Sequence, residues 1–313
     1  METDDRGILL FRRDFRGLTG GHLKVWHYLR HAAASPSYRP LVYQPATSRR
    51  GAGNPFDADP SRSVEDWQPE AAAALFVAGL DWQAVPAGLD VPVVNLVQGV
   101  RHADPADPRR AFLSRRAVRI CVSPEVAAAI LGTGLVNGPV VTIPNGVDVP
   151  PTTSITTSRP VPLLLVGWKE PERTREVASA LRERGVRPEV IDSRLPRERF
   201  LARLGEAETV VFLPLEREGC FLPALEAFAL GCLVVCPDCV GNRGFCRDGD
   251  TCLAPDNRID AIVAATLAAV DLPAERRGRI LAAARDEVAG RALDAERGAF
   301  LALLDELAAG RIP

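Results

Sequence analysis

The stretch Glu218-Gly-Cys-Phe-Leu-Pro-Ala-Leu-Glu226-Ala-Phe-Ala-Leu-Gly-Cys-Leu-Val-Val-Cys236 decides the reading of this chain. An apolar run at Thr209 to Leu213 predicts a strand before it, and Cys232 to Cys236 predicts another after. Between them the sequence predicts a helix from about Pro223 to Leu230, because proline suits a first helical position and Gly231 suits the residue just past a helix end. Glu226 then lies one turn inside that helix, and Glu218 lies in the loop ahead of it. A strand, a loop carboxylate and an open helix N-terminus together bind anions through unpaired N–H groups and hydroxyls through the carboxylates.

At 313 residues the chain has room for two domains, each with its own core, and a net charge of −2 argues against nucleic acid and against strong attraction to an anionic membrane. No apolar run approaches a bilayer span, and the N-terminal METDDRG lacks an apolar signal core, so a cytoplasmic protein is expected. Six of the seven cysteines crowd between Cys220 and Cys252, but only Cys236-Pro-Asp-Cys239 has ligand-like spacing. All four histidines (His22, His27, His31 and His102) lie in the other half of the chain, so free thiols are expected and not zinc. Of the 38 basic residues only Lys24 and Lys169 are lysines. A compact ammonium binds phosphate as a point charge, which makes both lysines candidate phosphate contacts.

Read in order, Gly7 to Phe11 predicts a first strand, followed by the loop RRDFRGLTGG and a helix from about Gly21 to Ala34. Val25, Leu29 and Ala32 would face the core, with Lys24, His27 and His31 on the opposite, solvent face. Gly17, Gly20 and Gly21 do not spell G-x-G-x-x-G, which argues against a nicotinamide enzyme. After a strand at Pro40 to Tyr43, the polar stretch Gln44 to Pro69 has no period and reads either as an acceptor-side loop or as disorder. Strands follow near Ala73 to Val77, Val91 to Leu96, Arg119 to Val122 and Val140 to Ile143, with helices at Arg109 to Arg116 and Glu125 to Leu131. Pro150 to Pro162 reads as a linker. A second α/β run then begins at Pro162 to Val166, continues through Gly167-Trp-Lys169 and further helices and strands to Cys252 to Ala254, and ends in three helices, the last at Arg291 to Ala309. Strands alternating with helices predict α/β architecture with parallel sheets.

With these elements placed, the E-x7-E pattern with Gly219, Leu222, Pro223 and Leu225 resembles the donor site of the large group of retaining glycosyltransferases of GT-B fold known as family four. Ile143-Pro-Asn-Gly-Val-Asp148 resembles the run that closes the N-terminal domain there, and Gly20-Gly21 resembles its glycine-rich first loop. The resemblance implies two Rossmann-like domains, residues 1–150 and 151–290, facing one another across a cleft, with a final helix in 291–313 returning to the first. It implies a transferase that moves a sugar from a nucleoside-diphosphate sugar to an acceptor hydroxyl, with retention and without a metal or other cofactor. No Asp-x-Asp run is read as a metal motif. Glu226 would accept hydrogen bonds from the ribose, and Glu218 would orient the sugar. Lys169, the helix start at Gly219, Cys220, Phe221 and Leu222, and the Gly20-Gly21 loop would hold the diphosphate, with Arg173 replacing the arginine that such proteins carry shortly before the lysine. Gln98 stands where a sugar-contacting histidine is usual, and His102, four residues later, is read as its catalytic substitute or as a surface histidine. Trp168 and Phe221 depart from the pattern on the phosphate side. The acceptor would be a glycan, a lipid-linked or a small-molecule hydroxyl, with peripheral membrane contact through the arginines from Arg109 to Arg119. The competing readings are a nucleotide-sugar epimerase or glycoside phosphorylase of the same fold, although no lysine stands out for a pyridoxal phosphate Schiff base, and a non-catalytic nucleotide-sugar-binding protein.

Overall fold

Apolar strands with helical crossovers build two all-parallel sheets in the computed structural model, which describes residues 5–149 and 159–313. The first unit comprises Met1–Asn145 and Asp294–Pro313, and the second comprises Gly146–Leu293. The chain thus divides inside the Ile143–Asp148 run and not at 150, and again at 293 and not at 290. The physical reason is that Val147 donates its N–H to the Arg291 carbonyl (2.9 Å) and bridges to Ala292, which ties both ends of the second unit together. The linker expected at Pro150–Pro162 lies outside the described residues except for its last four.

The first sheet holds β1 (Gly7–Arg12), β2 (Tyr38–Tyr43), β3 (Ser63–Val64), β4 (Ala74–Ala78), β5 (Val93–Val97), β6 (Val118–Cys121) and β7 (Val140–Thr142), in the order β3-β2-β1-β4-β5-β6-β7. Every residue of β4, β5 and β6 is buried, as parallel strands covered on both faces require. Helix α1 (Gly20–Ala32) starts where the Thr19 hydroxyl accepts from the His22 N–H, and α2 (Pro124–Leu131) starts on Ser123 in the same way. In the second unit β8 (Val161–Val166), β9 (Glu189–Ile191), β10 (Ala207–Phe212) and β11 (Leu233–Val235) lie in the order β11-β10-β8-β9. Helices α3 (Pro171–Glu183), α4 (Arg197–Gly205), α5 (Leu222–Ala229), α6 (Ile259–Val270) and α7 (Ala274–Ala289) belong to the same unit. The expected strand at Cys252 to Ala254 is reduced to an isolated bridge between Leu253 and Val235.

Three expectations in the first unit are corrected. The face of α1 read as solvent-exposed is buried: Lys24, His27 and His31 are 1%, 2% and 6% exposed. What covers it is α8 (Leu293–Ala308), whose Glu296 takes Lys24 on one carboxylate oxygen and His31 on the other (3.2 Å). Lys24 Nζ also lies 3.1 Å from His27 Nδ1, and beside this polar core Phe300 packs edge-on against Tyr28 and Phe76. Lys24 is therefore committed to a structural ion pair and not to a phosphate.

The segment Gln44 to Pro69 is ordered, not disordered. Asn54 Nδ2 donates to Gln44 Oε1 (2.7 Å) and to the Arg49 carbonyl (2.8 Å), Asp57 receives Gln44, Arg50 and the Gly51 N–H, and Val64 pairs with Tyr43.

The helix expected at Arg109 to Arg116 is instead a 3₁₀ helix, Pro108–Ser114, whose ends close by i to i+3 bonds (Arg110 N–H to the Asp107 carbonyl, Arg115 N–H to the Phe112 carbonyl), with the fully buried Arg119 lying against its C-terminal carbonyls. That guanidinium donates to the carbonyls of Phe112, Leu113, Arg115, Ala117 and Asn137, while the Phe112 carbonyl also accepts the Arg115 N–H in the i to i+3 pattern of the turn. Burial lowers the Arg119 guanidinium to about 10. Arg109 meets Asp107 and Arg115 the carbonyls of Trp82, Val85 and Pro86, while the Arg116 side chain is exposed beside Asp90.

Removing one partner of a buried ion pair strands the other charge, so Lys24→Met or Glu296→Leu alone is expected to lower stability by about 3–5 kcal/mol. The double variant, which leaves neither charge, should recover most of that loss. Urea unfolding followed by circular dichroism checks both outcomes.

Candidate functional site

In an open parallel sheet the loops beyond the strands' carboxyl ends part where the strand order reverses, and there a crevice forms. In the second unit that point lies at β8, between β9 and β10. The loops concerned are Gly167-Trp-Lys169 after β8 and Leu213 to Cys220 after β10. Gly167 is required at the first: a Cβ there would stand 1.9 Å from Thr174 Oγ1, whose hydroxyl donates to the Gly167 carbonyl at 2.9 Å. This contact fixes the start of α3 against the end of β8 and aims the turn that carries Lys169.

Lys169 Nζ and Glu218 Oε1 are 2.5 Å apart, so two residues 49 positions apart in sequence form one ion pair. The pair remains open to water, with side-chain exposures of 35% and 14%. Glu218 is held from behind by the loop after β11. Val240 donates to the Glu216 carbonyl and Phe221 to the Gly241 carbonyl, at 3.0 and 2.9 Å. A Cβ on Gly241 would lie 2.9 Å from Glu218 Cβ and 3.0 Å from the Cys220 nitrogen, so the backbone itself fills the space.

Helix α5 follows directly. Its end is a complete Schellman turn, with Cys232 N–H on the Ala227 carbonyl, Gly231 N–H on the Phe228 carbonyl, and Gly231 at φ +72°. At its start the Phe221 N–H is spent on Gly241, and the Phe221 ring is buried edge-on against Phe212. Phe221 therefore shapes the turn without offering a free amide, while the N–H of Leu222, the first helical residue, has no carbonyl within the helix. Trp168 likewise packs edge-on against Phe200 of α4. Both departures from the motif are absorbed by the core behind the loops.

Glu226 projects from α5 one turn past its start and is 4% exposed. Burial raises its carboxyl above the ordinary range. Arg197, which hydrogen-bonds it, pulls in the opposite direction, and the Asp148 charge adds to the rise. Arg197 is the first residue of α4 and holds Glu226 Oε1 with one nitrogen and the Asp148 carbonyl with the other (2.5 Å). Nothing local in the sequence pointed to Arg197: it precedes Glu226 by 29 positions and lies on another helix. Arg173, expected to face phosphate, is engaged by Glu170 (3.0 Å) and by the carbonyl and side chain of Asn257.

In the first unit Gly20 and Gly21 open α1, and Gln98 donates to the Gly21 carbonyl at 3.3 Å; a Cβ on Gly21 would come within 3.1 Å of Gln98 Oε1. The glycine loop and the end of β5 are thereby brought together. His102 is not a surface histidine: it is 5% exposed, and burial, with Arg109 and Arg101 adding to it, lowers it to about 3, so it is neutral at physiological pH.

The seven cysteines are free. Asn242 organises the Cys236–Cys239 turn, donating to Cys236 Sγ (3.3 Å) and the Pro237 carbonyl and accepting from the Cys239 N–H. Two Asp-x-Asp triplets do occur, Asp57-Ala-Asp59 and Asp248-Gly-Asp250. Their carboxylates are engaged locally, by Gln44 and Arg50, by Ser61 and Arg62, by the Ala254 N–H and by Arg247. Among the described residues no three His, Cys, Asp or Glu converge as a metal site.

The family described as Glycosyl transferases group 1 matches residues 152–271, a span that contains Lys169, Glu218, Arg197 and Glu226. Sucrose-phosphate synthase from Thermosynechococcus elongatus is similar in structure, with a TM-score of 0.69 at 14% identity over 97% of this chain and 100% of its own. Anabaena HepE, solved with UDP and glucose, has a TM-score of 0.70 at 13% identity over 96% and 100%. A glycosyltransferase from Rickettsia africae has 0.64 at 12% identity over 97% and 99%. The likeness is one of fold, the GT-B class, along nearly the whole chain. No curated protein matches the sequence.

Gly241→Ala should force the Glu218 loop away from its buttress and cost about 1–3 kcal/mol, as overpacking does. A lowered melting temperature in thermal denaturation is the expected result.

Proposed function

We propose that this chain is a glycosyltransferase that moves a sugar from a nucleoside-diphosphate sugar to an acceptor hydroxyl. The observation that carries the reading is the Lys169–Glu218 pair at the switch point of the second sheet, with Glu218 in the loop that leads into α5 and Glu226 within that helix. An exposed ammonium, a helix start and two carboxylates are what the parts of such a donor call for. The diphosphate draws on Lys169 and on the Leu222 N–H. The sugar hydroxyls take Glu218, which is freed as Lys169 turns to phosphate, and the ribose hydroxyls take Glu226.

In the reaction the bond between the anomeric carbon and the β-phosphate oxygen breaks, and its electron pair leaves with the nucleoside diphosphate. The acceptor oxygen bonds the same carbon and gives up its proton to an oxygen of the departing phosphate. Negative charge therefore grows on the leaving group, where Lys169 stabilises the transition state more than the ground state. The likeness of Glu218–Glu226 to the E-x7-E motif supports retention of configuration. Lys169 and the helix start can neutralise the diphosphate without a metal ion, and the reaction is read as cytoplasmic. HepE was solved with UDP-glucose, which makes a uridine diphosphate sugar the first donor to try. The acceptor is read as a glycan, a lipid-linked or a small-molecule hydroxyl.

Thermal denaturation with UDP, GDP, ADP, TDP and CMP, alone and as sugar nucleotides, tests the reading. A nucleotide at a hundred times its dissociation constant should add about 2.7 kcal/mol of stability, and the absence of any shift would contradict a donor site. Glu226→Ala should abolish that shift, whereas Glu218→Ala should retain it and lose turnover by about 10²-fold or more, as loss of one oriented transition-state contact does. Donor consumption and nucleotide binding, measured side by side, separate the two outcomes.

A further inference from the structure

A carboxyl group as buried as Glu226 ordinarily takes up a proton, because desolvation penalises its charged form. A neutral carboxylic acid is a poor acceptor for two ribose hydroxyls, so a site that relies on Glu226 needs something to hold it ionised. The charged groups acting on it come from two elements. Arg197 at the start of α4 opposes the rise, and Asp148, in the segment by which the chain enters the second unit, reinforces it. Of the elements packed against α5, α7 and β11 contribute buried apolar residues to this core, Ala284 and Val234 among them.

Arg197 is well placed for the task. One of its nitrogens meets Glu226 Oε1 and another the Asp148 carbonyl at 2.5 Å, so the guanidinium is fixed at both ends. Its side chain keeps 22% of its surface in water while that of Glu226 keeps 5%, which puts the pair at the margin of the core. Among the described residues Arg197 is the hydrogen-bond partner of the Glu226 carboxylate, and it uses one of the two oxygens.

We infer that Arg197 is a positioning residue for the donor: it keeps Glu226 ionised and fixed through Oε1 and leaves Oε2 to accept from the nucleotide's ribose. The inference rests on the donor-site reading above and adds to it a residue outside the E-x7-E motif. Charge and geometry are separable contributions. Arg197→Lys keeps the charge and loses the two-point grip, and Arg197→Gln loses the charge.

The test follows binding of UDP, GDP, ADP and TDP by calorimetry between about pH 6 and 8.5, together with the titration of Glu226 in ¹³C-glutamate-labelled protein, its resonance identified by its loss in Glu226→Gln. In the wild type, affinity for the nucleotide that binds should follow only the titration of the nucleotide's own terminal phosphate over this range. In Arg197→Gln it should fall about tenfold or more relative to the wild type towards the acid end, because the carboxyl titrates at higher pH and below its midpoint each unit removes about nine-tenths of the acceptor. Arg197→Lys should lie between the two. A pH profile in Arg197→Gln parallel to that of the wild type would overturn the inference while leaving the donor site standing. So would a Glu226 found neutral at pH 7 in the wild type, a measurement that needs no Arg197 variant to fold. If the wild type binds none of the four nucleotides, the donor-site reading falls and the ribose role with it. The titration still decides what Arg197 does to Glu226, and an unchanged midpoint in Arg197→Gln refutes that as well.

Discussion

The contact on which the candidate site depends is the meeting of Glu226 with Arg197. A carboxylate removed from water must find a cation, and the one available is anchored on a second helix and on the backbone at Asp148. The pair therefore fixes the start of α4, the middle of α5 and the chain's entry into the second unit relative to one another. The same physics operates in the first unit, where Glu296 of α8 reaches buried Lys24 and His31. In each unit one glutamate, held by a cation from another helix, sets how the helices pack.

Around that contact the sheet does the positioning. The reversal of strand order at β8 parts the loops that carry Lys169 and Glu218, and small residues set their aim. Gly167 admits the Thr174 hydroxyl and Gly241 admits the Glu218 loop, each at a distance no side chain would tolerate. The aromatic residues that interrupt the expected motif, Trp168 and Phe221, fill the core behind those loops against Phe200 and Phe212. The polar groups in front are consequently exposed through the architecture of the sheet and not through the particular residues that follow β8 and β10.

Much of this could be read from the chain itself, because alternation of short apolar strands with helices and the Pro223 and Gly231 punctuation of α5 are local signals. The parallel sheets, the order of elements and the placement of Glu218 before α5 and Glu226 within it follow from them. What could not be read depends on partners distant in sequence. Lys24 looked like a phosphate contact because it is one of only two lysines and follows the Gly20-Gly21 loop, and only Glu296, 272 positions later, reveals that its face of the helix is covered. The segment Arg109 to Arg116 looked helical because nothing local in it shows that its turns close by i to i+3 bonds against the buried Arg119. Asn54 and Asp57 order a stretch whose composition suggested disorder, and Arg197 carries no motif at all.

The most direct test of the donor site is a crystal structure of the chain with the sugar nucleotide that stabilises it best. The diphosphate is predicted within hydrogen-bond distance of Lys169 Nζ and the ribose hydroxyls on the Glu226 carboxylate. A nucleotide bound away from both residues, or with Glu226 turned from the ribose, would contradict it.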